Sequence, residues 1–201
     1  MPKVTGIFDI FKNLDQIRIE DIDRWLKPTS QLAFLENYFG NRIYYTQVAP
    51  VTLEEMKIDL AILRECLKRN QEFFAENGKK IIIPEAFISR LPNLSSLILA
   101  YIDAYPVKGI VTVILTSDFK DEILGSIVAP TFKGQGSSVD LLVEGKSYQI
   151  KQGNVNIIPC HSKRCHINFK SKDAQILGKE EITVEAYGGK LGIVTDCRRL
   201  S

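Results

Sequence analysis

The spacing of apolar residues changes along the chain and predicts three structural regions. Up to residue 78 apolar positions recur every three or four residues, which is the period of an amphipathic helix. Thr52 and Glu55 have the spacing of a capping box, so a helix is predicted from residue 53, with Asn77-Gly78 ending it. Its apolar stripe is Leu53, Met56, Leu60, Leu63 and Leu67. Shorter helices are predicted over 19–27 and over 30–39, the second closed by Gly40-Asn41.

The middle region, residues 79–124, has the pattern of one βαβ unit. Ile81–Ile83 form a short apolar run that is typical of a buried strand. Asn93 can cap a helix that runs through Ile102. The β-branched run from Gly109 to Leu115 then predicts a second strand.

From residue 125 to residue 201 the pattern predicts strands alone. The predicted strands are Ser126–Ala129, Val139–Val143, Tyr148–Ile150, Val155–Ile158, His166–Phe169, Ile182–Ala186 and Leu191–Thr195. Glu144-Gly145 and Gly188-Gly189 are predicted to be tight hairpin turns. We therefore expect an α+β protein, in which a helical region (1–78) and a βαβ-like region (79–124) pack against a β-barrel or sandwich-like domain (125–201).

Composition narrows the class of protein. The chain of 201 residues has 26 basic and 24 acidic residues, a net charge of +2 that gives no general attraction to nucleic acid. The first residues lack the apolar core of a signal peptide, and the chain has no apolar run of about 18 residues. Without a signal peptide we expect a cytoplasmic protein with its cysteines reduced. Four cysteines would also suit two disulfides, but a core of this size needs no covalent cross-links. The cysteines are Cys66, Cys160, Cys165 and Cys197.

One short segment combines two cysteines with both histidines of the chain. Cys160, His161, Cys165 and His166 offer the thiolate and imidazole ligands that zinc prefers. On a hairpin the two cysteines would face each other, while strand alternation would turn the histidines away. Two ligands from this segment with Cys197 or Cys66 would then complete a site more easily. A structural zinc site and an exposed basic hairpin with incidental cysteines both fit the pattern.

Three pairs of residues are candidates for contacts with a partner. Lys163-Arg164 could bind an anionic group, and Arg198-Arg199 could contact another chain. Tyr44-Tyr45 cannot both point inward from an extended segment, so one of them could lie in an interface. Solvated surface charges and core packing are the alternative explanations.

Several segments, in order, resemble the glutamate mutase accessory protein L family over roughly residues 20–200. They are Arg24–Pro28, Asn41-Arg42, Pro50, Leu53–Arg64, Leu99–Ala104, Pro106–Ile110, Leu124–Pro130, Ile157–Pro159 and Gly188–Arg198. The resemblance implies an actin- and hexokinase-like ATPase fold whose first lobe would precede the matched region. It also implies a glycine-rich nucleotide turn after residue 83, where this chain has Pro84-Glu85-Ala86. Proline removes a donor and glutamate repels phosphate, so we expect no ATP hydrolysis by this chain alone.

Together these features favour binding over catalysis. The first hypothesis is a non-catalytic binding, scaffolding or assembly module that acts with a larger protein complex, through a protein partner or as a homo-oligomer. The second is a zinc-stabilised β module that binds an anionic partner. The third is half of a nucleotide-binding ATPase that another chain completes.

Overall fold

The chain folds into two compact units, one helical and one built from strands. The computed structural model describes residues 14–26, 32–46, 48–69, 80–84, 93–116 and 120–198. The fold class is α+β, as the sequence predicted. The units do not follow the three predicted regions, because the middle region contributes its helix to the helical unit and its strands to the other.

The helical unit contains four described α-helices after a 3₁₀ turn at Leu14–Gln16. The helices are α1 (Ile19–Asp23), α2 (Leu32–Tyr44), α3 (Leu53–Arg69) and α4 (Leu94–Ala104). The predicted capping box is confirmed, since the Glu55 N–H donates to Thr52 Oγ1 at 3.2 Å and the Thr52 N–H donates to Glu55 Oε2 at 2.9 Å. Asn93 caps α4 by accepting from the Ser96 N–H at 3.2 Å.

Two predicted helix ends were wrong. The helix predicted over 19–27 ends at Asp23, because the Trp25 and Leu26 N–H groups bond carbonyls three residues back and turn the chain. The helix predicted to close at Gly40 continues to Tyr44, with Phe39 and Arg42 buried on one face. The predicted end at Asn77-Gly78 lies outside the described residues.

The buried carboxylate of Glu65 on α3 joins α3 to the chain after α1. It accepts hydrogen bonds from Arg24 Nη2 at 2.6 Å, from the Trp25 indole N–H at 2.5 Å and from Lys68 Nζ at 3.3 Å. Lys68 Nζ also lies 4.5 Å from the Trp25 ring centroid, within range of a cation–π contact. Although burial opposes ionisation, the hydrogen bonds from Trp25 and Arg24 lower the pKa of Glu65.

The described residues of the strand unit form three sheets. Its strands are β1 (Lys80–Pro84), β2 (Gly109–Thr116), β3 (Glu122–Ala129), β4 (Thr131–Phe132), β5 (Ser138–Val143), β6 (Lys146–Lys151), β7 (Val155–Ile158), β8 (Arg164–Lys170), β9 (Ala174–Gln175), β10 (Glu181–Tyr187) and β11 (Gly192–Asp196). The first sheet has the order β1-β2-β3-β11-β7, the second has β10-β8-β5-β6, and β4 pairs with β9. In the first sheet β11 runs parallel to β3 and antiparallel to β7.

The two larger sheets share one apolar core. Its members from the first sheet include Ile158 and Ile193, and those from the second include Leu141 and Phe169. No sheet closes into a barrel among the described strands, so of the two predicted forms the sandwich-like one is observed. The predicted strand–helix–strand order is present, and β1 neighbours β2 in the sheet, but α4 packs on α3 in the helical unit.

The predicted hairpin at Gly188-Gly189, and the hairpin considered for Cys160–His166, are instead crossings between the sheets. Gly188-Gly189 connects β10 of the second sheet to β11 of the first, and residues 159–163 connect β7 of the first to β8 of the second. Neither pair of strands is hydrogen-bonded, so neither connection is a hairpin. The Glu144-Gly145 hairpin between β5 and β6 is confirmed, and both of its residues have positive φ, as a type I′ turn requires.

Candidate functional site

The helical unit exposes a run of large apolar side chains between the end of α2 and the start of α3. We call it the 44–53 surface. Its members are Tyr44 (80% exposed), Tyr45 (57%), Val48 (54%), Val51 (89%) and Leu53 (72%). Scattered apolar residues are ordinary on a protein surface, but a concentration of this kind marks interaction sites.

A cleft of ≈ 170 Å³ opens beside these side chains. It is lined by Tyr38, Asn41, Arg42, Tyr45, Val48, Ala49, Val51 and Glu55. Pockets that hold drug-sized molecules or cofactors measure about 300–1,000 Å³. The cleft is therefore of the size that receives a side chain rather than a cofactor.

Arg42, which lines this cleft, forms a buried ion pair with Asp59. The Arg42 Nε donates to Asp59 Oδ1 at 2.8 Å, and its Nη2 donates to Asp59 Oδ2. The Nη1 donates to the carbonyl oxygens of Val48 and Tyr45, so one guanidinium fixes the loop backbone to α3. Although burial opposes the charge, hydrogen bonding to Asp59 raises the pKa of Arg42.

The half-buried Tyr38, one turn before Arg42 on α2, also contacts this ion pair. Its hydroxyl donates to Asp59 Oδ1 at 3.0 Å, and the Arg42 guanidinium lies 5.6 Å from its ring centroid. Burial and the negative charge of Asp59 raise the pKa of Tyr38 far above its usual value, so the hydroxyl stays a donor. The exposed surface thus lies over a group of side chains joined by hydrogen bonds.

The sequence identified Tyr44 and Tyr45 but missed the rest of this surface. Leu53 was assigned to the buried stripe of α3, whereas it is exposed at the first helical position. Val48 and Val51 lie outside any periodic segment, so spacing alone carried no signal for them. Pro50 after Ala49 was the visible sign that this stretch is extended.

In the strand unit, Cys160 and Cys165 form a disulfide, which corrects the expectation of four reduced cysteines. Their Cα atoms are 6.4 Å apart, because the crossing 159–163 folds back on itself before β8 begins. Both cysteines are buried in the shared core. The remaining two, Cys66 and Cys197, are buried thiols whose pKa burial raises to about 12, so they are poor nucleophiles at neutral pH.

The structure brings the two cysteines together with a carboxylate rather than with the histidines. Within the part of the chain that the structure describes, the ligand atoms of Glu144, Cys160 and Cys165 all lie within 4.8 Å of one another. His161 and His166 are exposed and do not belong to this group. Sequence reasoning missed Glu144, because only the pairing of β5 with β8 brings the turn at 144 beside residue 166.

Cys197 is not a candidate for the same group. The Cys197 N–H donates to the Asn154 carbonyl before β7, whereas Cys160 follows β7, so the two cysteines lie at opposite ends of that strand.

The two crossings lie directly against each other at the disulfide. The Gly189 N–H donates to the Cys160 carbonyl at 3.0 Å. A Cβ atom at Gly188 would meet the carbonyl oxygens of Ser162 and Cys160 and the Cys165 Sγ, so only glycine fits there. The hydroxyl of buried Ser126 on β3 accepts the Tyr187 N–H at 2.9 Å where β10 ends.

The basic residues predicted to bind a partner are exposed and partly neutralised by neighbours. Lys163 and Arg164 lie on the crossing and at the start of β8, and Arg164 Nη1 is 3.1 Å from Glu185 Oε2. Arg198 forms an ion pair of 2.8 Å with the buried Asp196 at the end of β11. Arg199 lies outside the described residues.

Comparison with known proteins identifies no relative. No family model, no curated protein and no solved structure matches the chain. The resemblance to the glutamate mutase accessory protein L family therefore stays a prediction, as do its implied fold and the Pro84-Glu85-Ala86 turn, of which Glu85 and Ala86 lie outside the described residues. Within the described residues, no helix has the length and apolarity that a membrane span requires.

Proposed function

We propose that the chain is a non-catalytic binding or assembly module whose 44–53 surface docks on a protein partner of a larger complex. The observation that carries this proposal is the concentration of five exposed large apolar side chains, of which Tyr45, Val48 and Val51 line a cleft of side-chain size. Aromatic side chains beside a pocket are typical of the few residues that dominate binding energy in protein interfaces.

The base beneath this surface supports a preformed site. Arg42 fixes the backbone at Tyr45 and Val48 to Asp59 on α3, so the exposed side chains project from a braced loop. A loop that is already ordered loses less conformational entropy on association, which favours affinity. The partner chemistry that fits is an apolar side chain for the cleft, surrounded by further apolar surface that covers Tyr44 and Val51.

The experiment is affinity capture from the native cell with matched baits. The wild-type bait is compared with a Tyr45→Ser/Val51→Ser bait and with a control bait that carries Leu142→Ser/Ile157→Ser. The control residues are also exposed and apolar, at 40% and 43%, but they lie in the strand unit. We expect a stoichiometric partner on the wild-type and control baits and its loss from the first variant.

Binding of the purified partner then gives the magnitude. Truncation of a central aromatic in an interface costs about 2 kcal/mol or more of binding free energy. Tyr45→Ser should therefore raise the Kd about 30-fold. Equal retention of the partner by all three baits would show that the 44–53 surface is not the docking site. Sedimentation tests the other occupant, a second copy of the chain. If the wild type self-associates and Tyr45→Ser/Val51→Ser abolishes this, the surface binds a second copy instead.

A further inference from the structure

The Cys160–Cys165 disulfide lies beside the carboxylate of Glu144, a residue with a strained backbone. Glu144 has φ of 48° in the β5–β6 turn, a backbone conformation that Asn, Asp and Gly adopt more easily. Its Oε1 accepts the His166 N–H at 2.7 Å, and its own N–H donates to the His166 carbonyl at 3.1 Å. The residue after Cys165 thus holds the Glu144 carboxylate in place.

The anchored carboxylate retains capacity for another contact. A carboxylate offers about four lone-pair positions, and the hydrogen bond from His166 uses one of them. The Glu144 oxygen and the two sulfurs lie within 4.8 Å of one another, and the cysteines are buried while Glu144 is exposed. Two soft sulfurs with one oxygen form a donor set that suits zinc rather than calcium or magnesium.

From this geometry we propose that Cys160, Cys165 and Glu144 form a redox-gated zinc site, closed as a disulfide and opened by reduction. A dithiol reductant gives two electrons and two protons to the disulfide, the S–S bond breaks, and the reductant leaves as its own cyclic disulfide. Zn²⁺ then replaces the two thiol protons, which pass to solvent, and two Zn–S bonds form. Glu144 supplies the third ligand, and solvent fills the fourth tetrahedral position.

The backbone of the closed form already suits the open one. Zinc–sulfur bonds of about 2.3 Å in a tetrahedron hold two sulfurs about 3.8 Å apart. The Cα separation of 6.4 Å is wide for a disulfide, so rotation of the side chains can part the sulfurs while the crossing keeps its path. Gly188 and Gly189 fix that path through their contacts with Cys160 and Ser162, which do not depend on the S–S bond.

The test uses the full chain and Co²⁺ as a spectroscopic substitute for zinc. One sample keeps the disulfide, and the other is reduced without denaturant by a phosphine, which takes an oxygen from water and leaves two thiols. We expect the reduced chain to bind one Co²⁺ with thiolate-to-cobalt absorption, and the oxidised chain to bind none. Zn²⁺ alone should also protect Cys160 and Cys165 of the reduced wild type from alkylation, as read by mass spectrometry.

Matched variants separate the ligands from their neighbours. Glu144→Gln keeps a hydrogen-bond acceptor for His166 and should weaken Co²⁺ binding at least about tenfold, the scale seen when even an outer partner of a metal ligand is lost. Glu185→Gln, another exposed glutamate of the strand unit, and the variants His161→Ala and His166→Ala should bind Co²⁺ as the wild type does.

Several results would overturn the proposal. The first is that the reduced chain binds no stoichiometric Co²⁺, or that Zn²⁺ does not protect its cysteines from alkylation. The second is that the oxidised chain binds Co²⁺ equally well. The third is that the disulfide can be reduced only in denaturant. Unchanged affinity in Glu144→Gln, or loss of binding in a histidine variant, would overturn the assigned ligand set. Because the site belongs to the strand unit, none of these outcomes bears on partner binding by the 44–53 surface.

Discussion

The buried pair of Arg42 and Asp59 gives the sharpest test of the helical unit. Asp59→Asn keeps the shape of the side chain and an acceptor for Tyr38, but it removes the negative charge. The Arg42 side chain, 7% exposed, then retains its positive charge against a neutral partner. Removal of one member of a buried ion pair typically costs 3–5 kcal/mol, so we expect the free energy of unfolding to fall by about 3–5 kcal/mol.

A double-mutant cycle shows whether this cost arises from the unpaired positive charge of Arg42. Arg42→Met fills a similar volume without charge, so Asp59→Asn/Arg42→Met should recover most of the loss. The assay is urea unfolding followed by the helical circular dichroism signal, with the midpoint and slope fitted separately. Glu181→Gln is the matched control, because its ion pair with Lys170 is 63–73% exposed and should contribute less than about 1 kcal/mol.

A cost for Asp59→Asn no larger than that of this surface control would contradict the prediction. So would a double variant as unstable as the sum of the single variants, because the pair would then carry no coupling energy. A normal stability for Asp59→Asn with weakened partner binding would place the role of the pair in the loop rather than in the helical core.

The remaining predictions concern one carboxylate and the crossings between the sheets. The pKa of Glu65 in the folded chain is lowered from its usual 4.5. The ionised carboxylate therefore contributes to stability above pH 4.5, and this contribution is lost as pH falls through the folded pKa. Glu65→Gln should unfold more easily than the wild type at neutral pH, and the difference should shrink in acid. Ser126→Ala removes the acceptor of the Tyr187 N–H and should cost about 1–3 kcal/mol in urea unfolding, whereas Ser126→Thr, which keeps a hydroxyl, tests whether the hydrogen bond is the cause. Gly188→Ala forces a Cβ atom onto two carbonyl oxygens and should lower the melting temperature by several degrees, by about 1–3 kcal/mol of strain, while Gly134→Ala, in open space, should have almost no effect.

Local signals in the sequence predicted most of the elements. Thr52 and Glu55 marked the start of α3, Asn93 marked that of α4, and Glu144-Gly145 marked a hairpin, because each of these features depends on residues close together in the chain. The two-residue strands β4 and β9 were missed, because they are too short for an alternating pattern.

Pairing across the sheets could not be predicted in the same way. Gly188-Gly189 has the composition of a hairpin turn, yet β11 pairs with β3 and β7 instead of β10. Positive φ at Gly189 serves a tight approach to the carbonyl groups of β3 and not a turn between paired strands. The choice between these roles depends on residues about 65 positions away, which a local pattern does not contain.

The same separation explains what was missed at the cysteines. Their spacing suggested ligands, and strand alternation turned the histidines away from the cysteines, but the third member of the group lies outside that segment. Glu144 reaches Cys165 only because β5 pairs with β8, and that register becomes known with the fold. A glutamate in a type I′ turn was the one local sign that residue 144 has an additional role.

The position of β11 has a consequence for how the chain is made. This strand lies inside the first sheet, between β3 and β7, although it is the last of the described strands in sequence. The sheet cannot be completed until residues 192–196 have left the ribosome. Until then, the edges of β3 and β7 that pair with β11 have no partner strand. Contacts at such sequence distance also slow folding once the chain is released. The strand unit should therefore depend on protection of those edges in the cell, whereas the helices of the other unit can begin to form earlier.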